Sequence, residues 1–298
     1  METHNRKAQW ESAIDESELN GKLVDYSWNL KRDGYAESTN KTYTCLLKLS
    51  VKKGANLNKP NSVKDIIAKQ TNWSNGRKNN AVKAYSLYLK INGLSWEKPR
   101  YKVTERLPFI PTEKEIDSLI GACSKQMATF LQVLKETAAR RGETICLKWD
   151  NIDFVTNTIR ITPEKGSKPR IFKMSSKLLN MISNLPKTTK RVFSYKNAFY
   201  VDKGFRRMRK RAAQKLGNPR LLKIHFHTLR HWKATIEYAR TKDIIYVQNM
   251  LGHRNPMTTY RYVQFVELPQ EERFISKIAN NAKEAVELVK LGFEYVTG

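Results

Sequence analysis

Two short stretches decide how this chain is interpreted: HFHTLRH at residues 225–231 and LGHRNPMTTYRY at residues 251–262. They contain four of the five histidines in the chain. In the first stretch, His227 and Arg230 are three residues apart and are therefore neighbours on one face of a predicted helix. In the second, His253 follows a glycine at a predicted helix end. The side chains that could carry chemistry are thus concentrated late in the chain.

Histidines at this spacing raise the question of a metal site. His227 and His231 are four residues apart and could share a helix face, as zinc ligands do. However, no glutamate lies between them, no nearby cysteine or carboxylate completes a ligand set, and Arg230 would repel a cation. We therefore expect no metal, and histidines that are satisfied at a helix start are the stronger alternative.

The charge of the chain indicates what kind of partner it has. The 298 residues include 55 Lys and Arg against 28 Asp and Glu, a formal net charge of +27. Self-repulsion of this size opposes compaction, so a polyanion, most commonly nucleic acid, explains the charge better than folding does. The mean hydropathy is −0.62, and neither an apolar run of membrane length nor a secretory signal is found. We expect a soluble cytoplasmic protein, associated with the nucleoid and not with a membrane.

The spacing of the cysteines and the lack of nucleotide-binding motifs argue against further classes of protein. Cys45, Cys123 and Cys146 are far apart and odd in number, so they predict neither a disulfide framework nor a metal-binding pair. We expect them to be reduced and buried. Neither GxxxxGK[ST] nor GxGxxG occurs, so nothing indicates dependence on ATP.

Three prolines mark a boundary between two predicted domains. WEKPRYKVTERLPFIP, residues 96–111, predicts an extended basic linker at residues 99–111. Thr112 and Glu115 then form a predicted capping box at the start of the second domain, residues 112–298.

The first domain, residues 1–98, is predicted to be a helical bundle that clamps DNA. Residues 37–107 contain 15 Lys and Arg against 4 Asp and Glu, which favours a binding face over a merely solvated one. Apolar residues at helical spacing predict helices at Thr39–Val51, Val63–Ala68 and Arg77–Ile91.

The second domain has a mixed pattern. A helix is predicted at Thr129–Thr137, and the chain looks helical again from Ser176, ending in an amphipathic tail at Gln270–Leu291. Between them, three short strands are predicted at Leu147–Asp153, Thr158–Thr162 and Arg170–Met174. The predicted fold class is mainly α with a small antiparallel β-sheet.

In this order, the segments resemble the catalytic boxes of the tyrosine recombinase (phage integrase) family. The pattern HxLRH … LGH … TTxxY matches that family, with Tyr262 nine residues after His253. Upstream, TAARRGE at residues 137–143 resembles its first arginine box, and IRITPEKGSKPRIFKM at residues 159–174 resembles its β-hairpin. The resemblance covers about residues 112–265. The ending, KEAVELVKLGFEYVTG, resembles the tails of archaeal integrases and Xer-like recombinases. There, further residues often follow, so the chain is either truncated or naturally short.

The resemblance implies a tyrosine that attacks a DNA phosphodiester, forming a 3′-phosphotyrosine link and releasing a 5′-hydroxyl. A tyrosine hydroxyl with a pKa of about 10 needs assistance, and arginine forks suit a dianionic transition state. The implied catalytic set is Arg140, Lys165, His227, Arg230, His253 and Tyr262. Arg140 and Arg230 would clamp the phosphate, Lys165 would protonate the leaving oxygen, and the two histidines would donate hydrogen bonds.

Several residues compete for these roles or support them. Arg141 is the alternative to Arg140, Lys168 to Lys165, and Tyr260 to Tyr262. Glu143 is expected to hold Arg140 or a neighbouring backbone group from the same helix, and His231 to pack or support the site. Ala138 stands where the family usually has glycine, a change that a helix would tolerate.

The implied function is site-specific recombination of double-stranded DNA by a homo-tetramer, through a Holliday junction and without cofactor. Integration or excision of a mobile element is the favoured reaction. The alternatives are relaxation of DNA by a type IB topoisomerase-like enzyme, chromosome-dimer resolution by an Xer-like enzyme, and a non-catalytic DNA-binding protein.

Overall fold

The computed structural model describes residues 16–104, 107–164 and 166–262, together with 281, 284 and 286. The chain divides into two compact units, Met1–Arg106 and Leu107–Gly298, and each has a hydrophobic core of its own. Lys165 and most of the predicted amphipathic tail, Gln270–Leu291, lie outside the described residues.

The described part of the first unit is helical, and it contains the three helices predicted from the apolar spacing. Two local signals explain where helices begin. Pro60 occupies the first turn of its helix, where the missing N–H has no intrahelical partner to lose. Ser74 caps the next helix by accepting a hydrogen bond from the Arg77 N–H. The helices are α1 (Glu16–Arg32), α2 (Glu37–Lys52), α3 (Pro60–Ala68) and α4 (Asn75–Ile91).

Tyrosines fill much of the core of this unit. Tyr26 Oη donates to the carbonyl of Ala84 at 3.0 Å, and Tyr85 Oη donates to the carbonyl of Leu57 at 2.8 Å. Burial of a phenol is tolerated when its hydroxyl is hydrogen-bonded in this way. Both bonds connect segments that are distant in sequence, so they help to fix how the helices pack.

The predicted linker, residues 99–111, is fastened at both ends. Near its start, the amide of Asn79 donates to the Tyr101 carbonyl at 2.7 Å and accepts from the Tyr101 N–H at 3.1 Å. Near its end, Phe109 and Ile110 pack against the core of the second unit. Both described ends of the predicted linker are thus held by contacts within the unit that each adjoins.

The second unit is built around one central helix. This helix, Lys125–Thr137, is buried along nearly its whole length, and it packs against the helices Glu113–Gly121, Arg141–Ile145, Ser176–Ser183 and Phe226–Thr241. The predicted capping box at the start of Glu113–Gly121 is confirmed, since Thr112 and Glu115 exchange both hydrogen bonds. The described helices of the unit are α5 (Glu113–Gly121), α6 (Lys125–Thr137), α7 (Arg141–Ile145), α8 (Ser176–Ser183), α9 (Ala198–Lys215), α10 (Phe226–Thr241), α11 (Ile244–Leu251) and α12 (Met257–Tyr260).

A three-stranded antiparallel sheet completes the second unit, and the predicted fold class is confirmed. The strands are β1 (Ile152–Asp153), β2 (Thr158–Ile161) and β3 (Arg170–Lys173), paired in that order. In β2, Ile159 and Ile161 face the core, as expected for a half-buried strand. Ile161 pairs with Arg170 on β3, and this register directs the arginine inward.

The first predicted strand, Leu147–Asp153, is wrong over most of its length. Residues Trp149–Asn151 form a 3₁₀ turn. The Leu147 carbonyl accepts from the Val192 N–H at 2.9 Å, and the Trp149 N–H donates to the Lys190 carbonyl at 3.2 Å. Because a segment that is distant in sequence satisfies these backbone groups, only two residues remain to pair with β2.

The expectation that the cysteines are buried is wrong for two of the three. Cys45 and Cys146 are exposed, although each lies directly before a buried leucine. Successive side chains of a helix point about 100° apart, so a residue next to a buried one can face solvent. Cys123 is partly buried, and burial raises the pKa of its thiol to about 11.

In the described ranges, no helix combines the length and apolarity required to cross a membrane.

Candidate active site

The turn after α6 places the first arginine of the site. Ala138 has left-handed backbone angles, with φ 50° and ψ 23°, so the expectation that a helix accommodates it is wrong. This conformation strains any residue with a Cβ by about 1–2 kcal/mol, whereas glycine adopts it freely. Arg140 then lies in extended backbone, and α7 begins at Arg141. The left-handed turn thus presents Arg140 ahead of a helix and not within one.

A fully buried carboxylate organises the residues around Arg140. Glu143 Oε2 accepts the Arg140 backbone N–H at 2.7 Å, and Oε1 lies 3.2 Å from Arg140 Nη1. Oε1 also accepts from Ser167 Oγ at 2.8 Å. Burial by itself would raise the pKa of Glu143, but the Arg140 N–H, the charge of Arg170 and the Ser167 hydroxyl lower it overall. The carboxylate therefore stays ionised and holds Arg140 through both backbone and side chain.

Arg170 is a member of this cluster that the sequence did not identify. Its Nη2 lies 2.6 Å from Glu143 Oε2, and its Nη1 donates to the Leu251 carbonyl at 2.5 Å. Its position in β3 is the sequence feature that could have identified it. Arg170 lies directly opposite the buried Ile161 of β2, and paired residues of neighbouring strands point to the same face of the sheet, so this cation points inward.

Arg230, on α10, is the most deeply buried cation of the site. It is 2% exposed, and its terminal nitrogens donate to the carbonyls of Ala138 and Leu251, each at 2.6 Å. Both carbonyls lie at the C-terminal ends of helices, where backbone carbonyls lack intrahelical partners and the helix dipole favours a nearby cation. Burial, together with the charges of Arg140 and Arg170, lowers the pKa of Arg230 to about 9. Backbone carbonyls orient this side chain, and among the described residues no carboxylate forms an ion pair with it. Its positive charge therefore remains available for an anion.

Gly252 allows the hairpin to approach the end of α11. Its φ is 66°, and a Cβ there would lie 2.9 Å from the Lys168 carbonyl and collide with the Arg170 guanidinium. The Lys168 N–H donates to the Gly252 carbonyl at 3.2 Å. This contact fixes the hairpin beside His253.

His253 is held in a defined orientation directly after this glycine. Its Nδ1 lies 2.9 Å from Thr259 Oγ1, and its backbone N–H and carbonyl both bond to Gln248. Burial, followed by the charges of Arg230 and Arg140, lowers the pKa of His253 to about 3. The ring is therefore neutral at physiological pH. If the threonine hydroxyl donates to Nδ1, the opposite nitrogen carries the proton and can donate.

Tyr262 rather than Tyr260 is brought into the site. Tyr260 is 51% exposed, whereas Tyr262 is 2% exposed. Burial raises the pKa of Tyr262, and the charges of Arg230, Arg261 and Arg140 act in the opposite direction. Its hydroxyl lies 2.9 Å from His231 Nδ1. A phenol oxygen thus lies among cations that would stabilise its ionised form.

His227 and His231 stack edge to face on α10, with ring centroids 4.7 Å apart. Burial, followed by the charges of Arg230, Arg140 and Arg261, lowers the pKa of His227. In the described part of the chain, no group of three or more His, Cys, Asp or Glu residues could hold a metal ion. The histidine pair faces arginines, an environment that suits an anion.

The hairpin is anchored directly after Lys165, and Lys165 itself lies outside the described residues. Ser167 binds Glu143, and Lys168 binds Gly252 through its backbone. The side chain of Lys168, the alternative to Lys165, is exposed. Arg141, the alternative to Arg140, pairs instead with Asp202 at 2.5 Å. A cavity of about 610 Å³ lies next to the site and is lined by, among others, Arg140, Arg141, Arg206, Arg209 and His227.

Comparisons with known proteins identify the family of this chain. The model of the phage integrase family matches residues 111–267, more than half of the chain. The chain is 26% identical over 254 residues to tyrosine recombinase XerA of Pyrococcus horikoshii, covering 81% of this chain and 88% of that protein. It is 25% identical to tyrosine recombinase XerA of Pyrococcus furiosus, covering 90% and 94%.

Solved structures share the fold. A lambda integrase tetramer bound to a Holliday junction matches with a TM-score of 0.66 at 13% identity, covering 89% of this chain and 82% of that one. The Tn1549 transposon integrase in complex with transposon right end DNA matches with a TM-score of 0.62 at 13% identity, covering 91% and 99%. The named relatives are recombinases, which supports recombination and not the topoisomerase-like alternative. This chain belongs to the phage integrase family, the tyrosine-type site-specific recombinases.

Proposed function

We propose that this protein cuts and rejoins double-stranded DNA through a 3′-phosphotyrosine formed by Tyr262, in order to integrate or excise a mobile element. The observation that carries the proposal is the convergence of the buried Tyr262 hydroxyl with the charges of Arg230, Arg140 and Arg261. Cleavage of a phosphodiester, which is an anion, requires a nucleophile and fixed positive charges that stabilise the transition state.

Arg140 and Arg230 would hold the non-bridging oxygens of the scissile phosphate. Each terminal nitrogen of Arg230 uses one hydrogen for a carbonyl, so a second hydrogen on each remains for phosphate. Arg140 is partly exposed next to the cavity and is positioned by Glu143. Electrostatic donors that are fixed before the reaction need no reorganisation as charge develops, and losing one typically reduces the rate about 10²–10³-fold.

Proton transfer to the leaving 5′ oxygen would fall to Lys165. A lysine ammonium group can act as a general acid toward a leaving oxygen. Support comes from its neighbours, because Ser167 and Lys168 fasten the tip beside Glu143 and Gly252.

His227 and His253 would act as neutral hydrogen-bond donors to the phosphate. Burial, followed by arginine charges, lowers the pKa of both rings, and a bound phosphate anion would oppose the effect of the arginines and raise both values. The two histidines would therefore become more basic when DNA is bound, which favours donation to the oxygens.

No cofactor or metal is required by this scheme. The phosphotyrosine bond conserves the energy of the phosphodiester, and the 5′-hydroxyl of the same or another strand can attack it to restore the backbone. Guanidinium groups supply the positive charge that a metal ion provides in other phosphoryl-transfer enzymes.

Exchange between two duplexes would involve four copies of the chain and a Holliday junction. Support comes from the fold shared with a lambda integrase tetramer on such a junction. The first unit would add affinity without base specificity, because residues 37–107 contain 15 basic and 4 acidic residues. The enzyme would accordingly act on nucleoid DNA in the cytoplasm.

Incubation with a nicked suicide duplex tests the chemistry. Wild-type protein should form a covalent DNA adduct on a denaturing gel, and Tyr262→Phe should abolish it while Tyr260→Phe retains it. Loss of the adduct in Tyr260→Phe alone would contradict the assignment. Strand exchange between two labelled duplexes tests the recombination step, and relaxation of supercoiled DNA without exchange would contradict it.

A further inference from the structure

The contact between His231 and Tyr262 bears on how the nucleophile loses its proton. The Tyr262 hydroxyl lies 2.9 Å from His231 Nδ1, and the tyrosine is 2% exposed, so solvent has little access to it. A phenol that attacks phosphorus must release its proton, because an oxygen bonded to carbon, phosphorus and hydrogen would carry a positive charge. The buried hydroxyl therefore needs an acceptor inside the protein.

We propose that His231 is a catalytic residue that accepts the proton of Tyr262, an inference that rests on the proposed function. The Oη–P bond forms, the bond between phosphorus and the 5′ oxygen breaks, and the phenol proton passes to His231 Nδ1. The leaving 5′ oxygen takes its proton from Lys165. Religation reverses each transfer, and His231 returns the proton to Tyr262 as the phenol departs.

The other groups near the hydroxyl are poor acceptors. Arg140, Arg230 and Arg261 influence the phenol by charge, but a guanidinium has no free lone pair to accept a proton. Glu143 is already shared by Arg140, Arg170 and Ser167. Among the described residues, His231 is the group within hydrogen-bond distance of Tyr262 Oη.

The surroundings of His231 make its basicity depend on bound DNA. The ring faces His227, Arg261, Arg230 and Tyr262. Burial, followed by His227, Arg261 and Arg230, lowers the pKa of His231 to about 4, so the lone pair is available at neutral pH but the ring is a weak base. A phosphodiester, and still more the dianion that develops during attack, would offset these cations. His231 would therefore gain basicity at the step that needs it.

The variant His231→Asn separates proton transfer from positioning. Its side-chain oxygen can occupy the place of Nδ1 and accept the same hydrogen bond, but it cannot take up the proton. We expect His231→Asn to form the covalent adduct at least about 10²-fold more slowly than wild type in a single turnover, the usual size of acid–base assistance. The rate of the variant should also rise about tenfold per pH unit, since only spontaneously ionised phenol would react.

Four outcomes decide the proposal. If His231→Asn reacts at the wild-type rate with the wild-type pH profile, His231 only positions the tyrosine and the proposal is overturned. The same holds if His231→Leu is slow while His231→Asn is normal. If wild-type protein forms no adduct at all, the proposed function itself fails. A slow His231→Asn with intact DNA affinity and melting temperature supports the proposal.

The tautomer of His231 provides a test in which position 231 is left unchanged. Nitrogen-15 NMR of histidine-labelled wild-type protein should show an unprotonated Nδ1 and a protonated Nε2 at neutral pH, with the Nδ1 resonance assigned by its shift in Tyr262→Phe. A proton on Nδ1 would make the ring the donor to Tyr262 and would overturn the proposal.

Discussion

Glu143 and Arg170 form a buried ion pair across 27 residues of sequence, with Oε2 2.6 Å from Nη2. The pair connects the helix that follows Arg140 to the hairpin that carries Lys165. Because Arg170 also donates to the Leu251 carbonyl, one guanidinium links three segments of the site. The geometry of the proposed catalytic cluster should consequently depend on these two buried residues.

Replacing Glu143 tests this dependence. Glu143→Gln leaves the buried Arg170 without a compensating charge, and breaking a buried pair in this way typically costs about 3–5 kcal/mol. Urea denaturation should show this loss, together with a large drop in adduct formation. Glu164→Gln is the matched control on the exposed hairpin and should change stability by less than about 0.5 kcal/mol. Equal effects in the two variants would contradict a special role for Glu143.

Ala138→Gly should cost less stability than the same change at the next residue. The substitution removes left-handed strain of about 1–2 kcal/mol at φ 50°. This gain offsets the loss of a buried methyl group and the added chain entropy of glycine, so the free energy of unfolding should change by less than about 0.5 kcal/mol. Ala139→Gly is the control, because Ala139 is equally buried but is not among the residues with positive φ. It should lose about 1 kcal/mol. Thermal melting of the pair checks this, and a parallel loss in both variants would show that Ala138 is not strained.

Acid should destabilise the second unit before its carboxylates titrate. The folded pKa values of His253 and His231 are about 3 and about 4, against 6.5 for an ordinary histidine. Below pH 6.5 the unfolded chain therefore binds more protons than the folded one, and stability falls as pH decreases toward 4. His253→Asn, which can still accept from Thr259, should have a shallower decline in melting temperature over this window. An unchanged decline would assign it to other groups.

Substitutions in the site should impair catalysis, whereas substitutions in the first unit should impair DNA binding. Arg230→Lys keeps the positive charge but loses the planar fork, so adduct formation should fall about 10²–10³-fold while the DNA dissociation constant changes only a few-fold. Its folding can be checked by its melting temperature.

The contrasting variant removes charge from the first unit. Lys48 and Lys83 are exposed on α2 and α4, and changing both to Gln should weaken binding. The slope of log affinity against log salt should become shallower by about 0.9 for each DNA phosphate that the variant no longer neutralises. Binding titrations at several salt concentrations measure this slope. The division of roles would be wrong if Arg230→Lys weakened binding as much as the lysine variants did.

Local patterns predicted much of the architecture because helix spacing and capping depend on neighbouring residues. The helices α2, α3, α4 and α6 and the capping box at Thr112 follow from spacings of three or four residues. The strand over Leu147–Asp153 failed because its hydrogen-bond partners, Lys190 and Val192, are far away in sequence. Local propensity carries no information about a distant segment that competes for the same backbone groups.

The sequence by itself determined the family resemblance, which rests on the types, order and spacing of its arginines, histidines and tyrosines, and that resemblance implied phosphoryl transfer on DNA. Tertiary structure decided which of them meet. It made Ala138 a left-handed residue, placed Arg170 between Glu143 and Leu251, and brought Tyr262 into contact with His231, 31 residues away. Spacing along a helix fixes the relation between close neighbours, whereas contacts between remote residues arise only when separate helices and the hairpin pack together.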